Sequence, residues 1–262
     1  MLTLSSIQWM DWVTAFMFPL VRVLALVAST PLLGDAEVPP QTRIGIGVLI
    51  TILVEPSIHF KTAIDPISAQ GVWLIFQQML IGLLMGFGVR LVFAAVEMAG
   101  EITGLQMGLG FASFYDPQNA AFQPVLSQFF GVLISLIYLS VDGPLLMINA
   151  LSDSFQMLPV GGAWMPQQNL QEVILLVGSL FAETLQISLP MLAALMMANL
   201  VLGILTRSAP QLNLFAVGFP VTLAAGFVIT LLSLLYMAPL VGHYFQGGAA
   251  VALQVIQQQF GP

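Results

Sequence analysis

The chain has 262 residues, of which 58% are hydrophobic and 6% charged, with a formal net charge of −7. A soluble domain carries about 25% charged residues, so the composition excludes a freely soluble globule and requires lipid or other chains around it. Five basic residues make no patch for nucleic acid, and the absence of cysteine excludes disulfides, thiolate nucleophiles and cysteine-held metals.

The N-terminus has no basic region, and Asp11 precedes the first apolar run, so no cleavable signal is expected there. Six apolar blocks follow, at about 12–33, 44–58, 72–99, 125–150, 173–205 and 212–245. A spanning helix needs roughly 20 apolar residues. All blocks meet that except the second, "IGIGVLITILV", which is short enough to be interfacial or buried. The connections are short. "GDAEVPPQT" (34–42) turns at Pro39-Pro40, and "LPVGGAWMPQQN" (158–169) is a Gly/Pro-rich loop with Trp164 as an interfacial anchor. "TRSAPQLN" (206–213) joins blocks five and six into a helical hairpin. Pro19, Pro144, Pro190, Pro220 and Pro239 fall inside apolar runs, which suits either bent helices packed against protein or the ordinary abundance of proline in membrane helices. Arg43, Arg90 and Arg207 against Lys61 put the first, third and fifth connections on the cytoplasmic side.

One stretch breaks the pattern. "MGLGFASFYDPQNAAFQP" (107–124) lies between two membrane-length blocks, yet it is neither polar nor helix-forming. Met107, Gly108 and Gly110 lead into Phe111, Phe114, Tyr115 and Phe122, interrupted by Asp116-Pro117. Non-helical backbone at membrane depth is tolerated only when buried in protein or lining a cavity. The glycines supply freedom, Asp116-Pro117 a turn, and the aromatics bulk without charge.

Charges within apolar runs are functional candidates: Arg22, Arg90, Glu97, Glu101, Asp142 and Glu183. Residues 90, 94, 97 and 101 share one helix face. Three readings are open for them: a proton relay, polar residues facing an aqueous passage or partner chain, and simple exposure at a membrane surface. Gly100, Gly104 and Gly108 recur every fourth residue, with Gly82 and Gly86 as a second pair. Such ridges let another backbone come close, within this chain or from another subunit. His59 and His243 have no ligand-spaced neighbour, so they read as ordinary polar residues rather than metal ligands. No nucleophile elbow, P-loop, dinucleotide fingerprint or HExxH is present, and nothing supports an enzyme.

"QMGLGFASFYDPQ" (106–118), "TRSAPQLNLFAVGFPVTL" (206–223) and the turn "PPQTRIGIGV" (39–48) resemble the signature stretches of the FliR family of flagellar type III export-gate proteins, related to the SctT components of virulence secretion. The resemblance covers essentially the whole chain. It implies an all-α membrane protein of helical hairpins within a larger hetero-oligomeric helical assembly. Residues 1–172 would be a FliP-like portion and 173–262 a FliQ-like hairpin. FliP and FliQ would be gate partners, with FlhB at the cytoplasmic opening near Arg207, Pro210, Gln211 and Asn213. FlhA and the basal body would lie nearby. Unfolded flagellar subunits would pass through the centre, with 107–124 as a luminal plug. The expected location is the inner membrane, partly raised toward the periplasm, with no cofactor. The competing expectation is a secondary transporter with Arg90, Glu97 and Glu183 around a midplane site. A third is a membrane scaffold with no passage.

Overall fold

The computed structural model describes residues 6–55, 64–110, 124–161, 167–208 and 218–257. Every regular element among them is a helix. They run α1 (Ser6–Ser29), α2 (Pro40–Val54), α3 (Ala69–Gln106), α4 (Val125–Ser140), α5 (Gly143–Met157), α6 (Gln167–Ser208) and α7 (Phe219–Gln257). Three are long and apolar enough to cross a membrane, or four if α4 and α5 make one broken span. At 1.5 Å per residue α3 is about 57 Å long, nearly twice a hydrocarbon core of about 30 Å. Among the described residues the six apolar blocks therefore supply three or four helices of membrane length.

The helix ends follow local chemistry. The first block was expected to run to Leu33, but α1 stops at Ser29. Pro31 follows, and a tight turn closes from Leu33 N–H to the Pro31 carbonyl at 3.0 Å. Leu32 sits inside that turn at φ 71°, strained for a branched side chain. The α3 N-terminus is capped by Ser68, whose Oγ accepts from the Gly71 N–H at 3.0 Å. The fourth block was expected to be one element and is two. Asp142 lies between α4 and α5 as an exposed residue at φ 53°. Aspartate tolerates this left-handed geometry better than most residues. Pro144 lies in the first turn of α5, and Pro220 in that of α7, where the missing N–H costs nothing. Only Pro19, Pro190 and Pro239 lie inside helices. Asp142→Gly should leave the melting temperature of the purified protein unchanged or slightly raised. Asp142→Val should cost about 1–3 kcal/mol, because a β-branched residue strains at positive φ. Equal melting of the two variants would contradict a left-handed break.

The chain forms two compact units. The first comprises Met1–Leu91, Asp142–Leu176 and Phe245–Pro262; the second comprises Val92–Val141 and Val177–Tyr244. In the first, Phe18, Val23 and Leu26 of α1 are buried with Leu74, Ile81 and Met85 of α3 and Met147, Leu151 and Phe155 of α5. Gly82 and Gly86 face α1. A Cβ on Gly82 would strike the Arg22 carbonyl and lie 2.8 Å from the Ala25 Cβ; one on Gly86 would strike Ser29. Ala25 and Ser29 repeat the four-residue spacing, so small residues from both helices meet and the backbones touch. Gly47 of α2 leaves room for the Leu24 side chain in the same way.

The second unit is built on the C-terminal part of α3. The α4 helix runs antiparallel to it. Phe93 meets Tyr138 edge to face at 5.7 Å, and a Cβ on Gly100 would lie 2.8 Å from the Phe130 ring. The α6 helix is parallel to α3: Thr184 Oγ1 donates to the Ala95 carbonyl at 3.4 Å, and Thr103 Oγ1 to Met191 Sδ at 3.9 Å. The Tyr236 hydroxyl of α7 donates to the Ile187 carbonyl at 2.8 Å. Both residues lie a similar length of helix from the 209–217 connection, which makes α6 and α7 an antiparallel hairpin. Of the most apolar window of α3, 56% is buried, against 22% for α6 and α7. Leu189, Met197, Leu200, Leu231 and Leu235 stand exposed on the hairpin, an apolar surface that only lipid or other chains can cover.

Candidate functional site

The two ends of the anomalous segment are both fixed within the second unit. At the C-terminus of α3 the Met107 N–H bonds to the Thr103 carbonyl and the Gly108 N–H to the Leu105 carbonyl, each at 3.0 Å. Gly108 then adopts φ 85°, the left-handed conformation that ends helices and favours glycine. Gly108 therefore leaves the ridge that Gly100 and Gly104 begin. Met107 is fully buried in this chain. Its side chain lies across Gly226 of α7, where an added Cβ would sit 2.6 Å from its Cε and 2.7 Å from its Sδ. At the far end Pro124 precedes α4, and its carbonyl accepts the Gln128 N–H at 3.1 Å. Leu126 and Leu109 both lie near Gly104, within 3.4 and 3.7 Å of a Cβ built there. The segment thus leaves and re-enters the fold at one place. Phe111, Phe114, Tyr115, Asp116, Pro117 and Phe122 lie outside the described residues.

The charges that fall within apolar runs separate by environment. Arg22 is fully buried in the first unit. Its Nε donates to Gln78 Oε1 at 2.8 Å, Nη1 to the Ser154 carbonyl and Oγ at 3.0 and 3.1 Å, and Nη2 to the Leu158 carbonyl at 2.8 Å. The Phe155 ring stacks 4.2 Å from the guanidinium carbon. Ser154 and Leu158 end α5, so the cation occupies the negative end of that helix dipole. Arg22 is therefore a structural clamp between α1, α3 and α5. Arg90, Glu97 and Glu101 are exposed, and Glu183 is half-buried. The Glu97 carboxylate lies beside Gly131 of α4, where a Cβ would stand 3.1 Å from its Oε1. Arg207 is exposed in the last turn of α6, matching the helix dipole. Pro210, Gln211 and Asn213 lie outside the described residues, as does His59; His243 is exposed. Among the described residues no three His, Asp or Glu side chains gather as metal ligands.

Gly226, Gln78 and Ser154 escaped the sequence reading. For Gly226 a signal existed: Thr222, Gly226 and Thr230 place small residues at every fourth position of α7. For Gln78 and Ser154 none did, because polar residues in apolar helices are legible only once their partner is known.

Comparison with known proteins places these features in a family context. Residues 13–248 match the family described as bacterial export proteins, family 1. The chain is 41% identical over 246 residues to the flagellar biosynthetic protein FliR of Pectobacterium carotovorum subsp. carotovorum, covering 94% of each chain. It is 39% identical over 246 residues to FliR of Escherichia coli strain K12, again covering 94% of each. The secretion system apparatus protein SsaT of Salmonella typhimurium is 29% identical over 243 residues, covering 90% of this chain and 91% of that one.

Proposed function

The chain belongs to bacterial export protein family 1, the family of the flagellar biosynthetic proteins FliR, and from that premise we propose that it is a non-enzymatic subunit of the flagellar type III protein export gate. Identity to FliR of Pectobacterium and of Escherichia coli, 41% and 39%, exceeds the 29% to SsaT, which favours the flagellar over the virulence system. In this reading the chain forms part of a protein-conducting channel across the bacterial inner membrane. FliP and FliQ complete the channel wall, FlhB sits at the cytoplasmic opening near Arg207, and FlhA and the basal body lie nearby. The assembly is partly raised toward the periplasm. Residues 1–172 are the FliP-like portion and 173–262 the FliQ-like hairpin. The bare apolar surface of α6 and α7 supports such packing: it is what a hairpin covered by sister subunits and lipid would expose when alone.

The observation that carries the channel reading is the double anchorage of the segment that follows α3. A glycine- and aromatic-rich stretch tethered at both ends to one place is suited to block a passage and to be pushed aside by a polypeptide. Residues 107–124 are the resting plug. Deleting residues 110–118 should raise small-molecule leak through the gate co-assembled with FliP and FliQ. Unchanged permeability in a fully assembled deletion variant would rule the plug out.

A further inference from the structure

The exposed surface of the second unit changes character at one height. On α6, every exposed residue between Gln186 and Arg207 is apolar, from Leu189 to Leu205. On α7 the same holds from Phe219 to Pro239. Polar groups then return together. The Tyr244 hydroxyl of α7 donates to Gln186 Oε1 of α6 at 2.7 Å, and His243 beside it is exposed. Glu97 of α3, also exposed, lies level with them. Thr184 Oγ1 of α6 meets the Ala95 carbonyl of the parallel α3, and Gln186 and Glu97 each stand two positions further on. Hence α3, α6 and α7 turn polar at the same height.

We propose that Gln186, Tyr244, His243 and Glu97 form a polar collar at one face of the lipid bilayer, and that phospholipid acyl chains cover the hairpin from this collar to Arg207. The proposal rests on the inner-membrane reading and assigns its depth. The helical rise from Gln186 to Arg207 is about 31 Å, against a hydrocarbon core of about 30 Å. The two ends suit the two faces of a membrane. Exposed Arg207 complements anionic headgroups on the cytoplasmic side, and tyrosine is at home at the opposite interface. A contact with another chain has no cause to end at one height on three helices, whereas the polar layer of a bilayer does so by its geometry. Glu101, one turn along α3 from Glu97, is exposed as well and falls within the depth of that headgroup layer. The 42 residues of α6 span about 63 Å, so roughly half of the helix lies outside hydrocarbon.

The chain has no cysteine, so single cysteines carry nitroxide labels without background. Ala182→Cys, Gln186→Cys, Leu189→Cys, Met197→Cys, Ile204→Cys and Arg207→Cys all replace exposed residues, which keeps the fold intact. Each labelled chain is co-assembled with FliP and FliQ in vesicles of phosphatidylethanolamine and phosphatidylglycerol. Spin relaxation by oxygen, which enters hydrocarbon, is compared with relaxation by a water-soluble nickel chelate, which does not. Met197 is 71% exposed and midway along the band. Its chelate-to-oxygen ratio should be about tenfold below those at Gln186 and Arg207, with Leu189 and Ile204 between. Ala182, beyond the collar, should match or exceed Gln186. If Leu189, Met197 and Ile204 are shielded from both agents, sister subunits cover the band; the proposal is then overturned and the inner-membrane reading stands. A ratio at Ala182 as low as at Met197 also overturns it, because hydrocarbon then continues past the collar. If the chelate reaches every position equally, the hairpin lies outside the bilayer, and the inner-membrane reading fails together with the collar.

Discussion

Arg22→Met should lower the stability of the folded chain by about 4 kcal/mol, read as a fall in the melting temperature of the purified protein and a loss of assembly yield. Two effects compete. Removing a buried cation relieves its desolvation, and replacing buried ionic groups with apolar ones is sometimes neutral or favourable. Against that, Met leaves Gln78 Oε1 and the Leu158 carbonyl without their donor and takes two contacts from Ser154. Each orphaned buried acceptor costs about 1–3 kcal/mol. The cation also gains from the α5 dipole and the Phe155 ring, each worth up to about 2 kcal/mol when desolvated. The orphaned acceptors therefore outweigh the relief. Arg22→Lys keeps the charge but has one compact head in place of a fork. It can reach the end of α5 or Gln78 of α3, not both, and should recover only part of the loss. Combining Arg22→Met with Gln78→Met should be less damaging than the sum of the two, because the second change removes an acceptor the first orphaned. Wild-type melting for Arg22→Met would show that the clamp contributes nothing.

The sequence exposes the helices more readily than their ends and breaks. Apolar runs and proline-rich turns mark where helices must lie, because hydrocarbon tolerates little else. The split of the fourth block is less visible, since "SVDGP" is also consistent with a kinked continuous helix. What decides it is the positive φ of Asp142, a backbone property that composition does not encode. For Arg22, a charge in an apolar run signals that something neutralises it, but the partners Ser154 and Leu158 are remote in sequence. That distance is why a structural clamp and a functional charge look alike before the fold is known. The stretch 107–124 shows the converse: its unusual chemistry is fully written in the sequence, while the contacts of its first residues with Gly226 and Gly104 are not. The four-residue glycine spacing identifies a ridge, yet it cannot tell a tight contact from a loose one or say where the helix ends. Gly108 continues the spacing and lies beyond the helix.

Alanine substitutions along α3 should separate these glycines sharply, from a loss of about 3 kcal/mol to a gain of up to about 1 kcal/mol. Gly82→Ala should be the worst. Its methyl meets α1 main chain, with the Leu26 nitrogen at 3.0 Å and the Arg22 carbonyl closer still. Backbone in a packed helix cannot step aside, so α1 and α3 must separate, and the Arg22 hydrogen bond to Gln78 would stretch with them. Gly100→Ala should be intermediate to severe, because one neighbour is the Phe130 ring, which can tilt, and the other is the Leu126 carbonyl at 2.9 Å, which cannot. Gly104→Ala should be nearly silent in this chain, since its methyl would rest in ordinary contact with Leu126 and Leu109 at 3.4 to 3.9 Å. Gly88→Ala should stabilise: nothing lies within 4 Å, and alanine is the better helix former. The series is read by thermal melting of the purified chain and, in parallel, by yield of the proposed assembly with FliP and FliQ. The second readout adds information at Gly88 and Gly104. A substitution neutral for the chain and harmful to the assembly marks a face that another subunit approaches. At Gly82 both readouts should fall together, because that contact is internal. If Gly82→Ala melts like Gly88→Ala, the close approach of α1 to α3 is wrong, and the Arg22 clamp built on it loses its geometry.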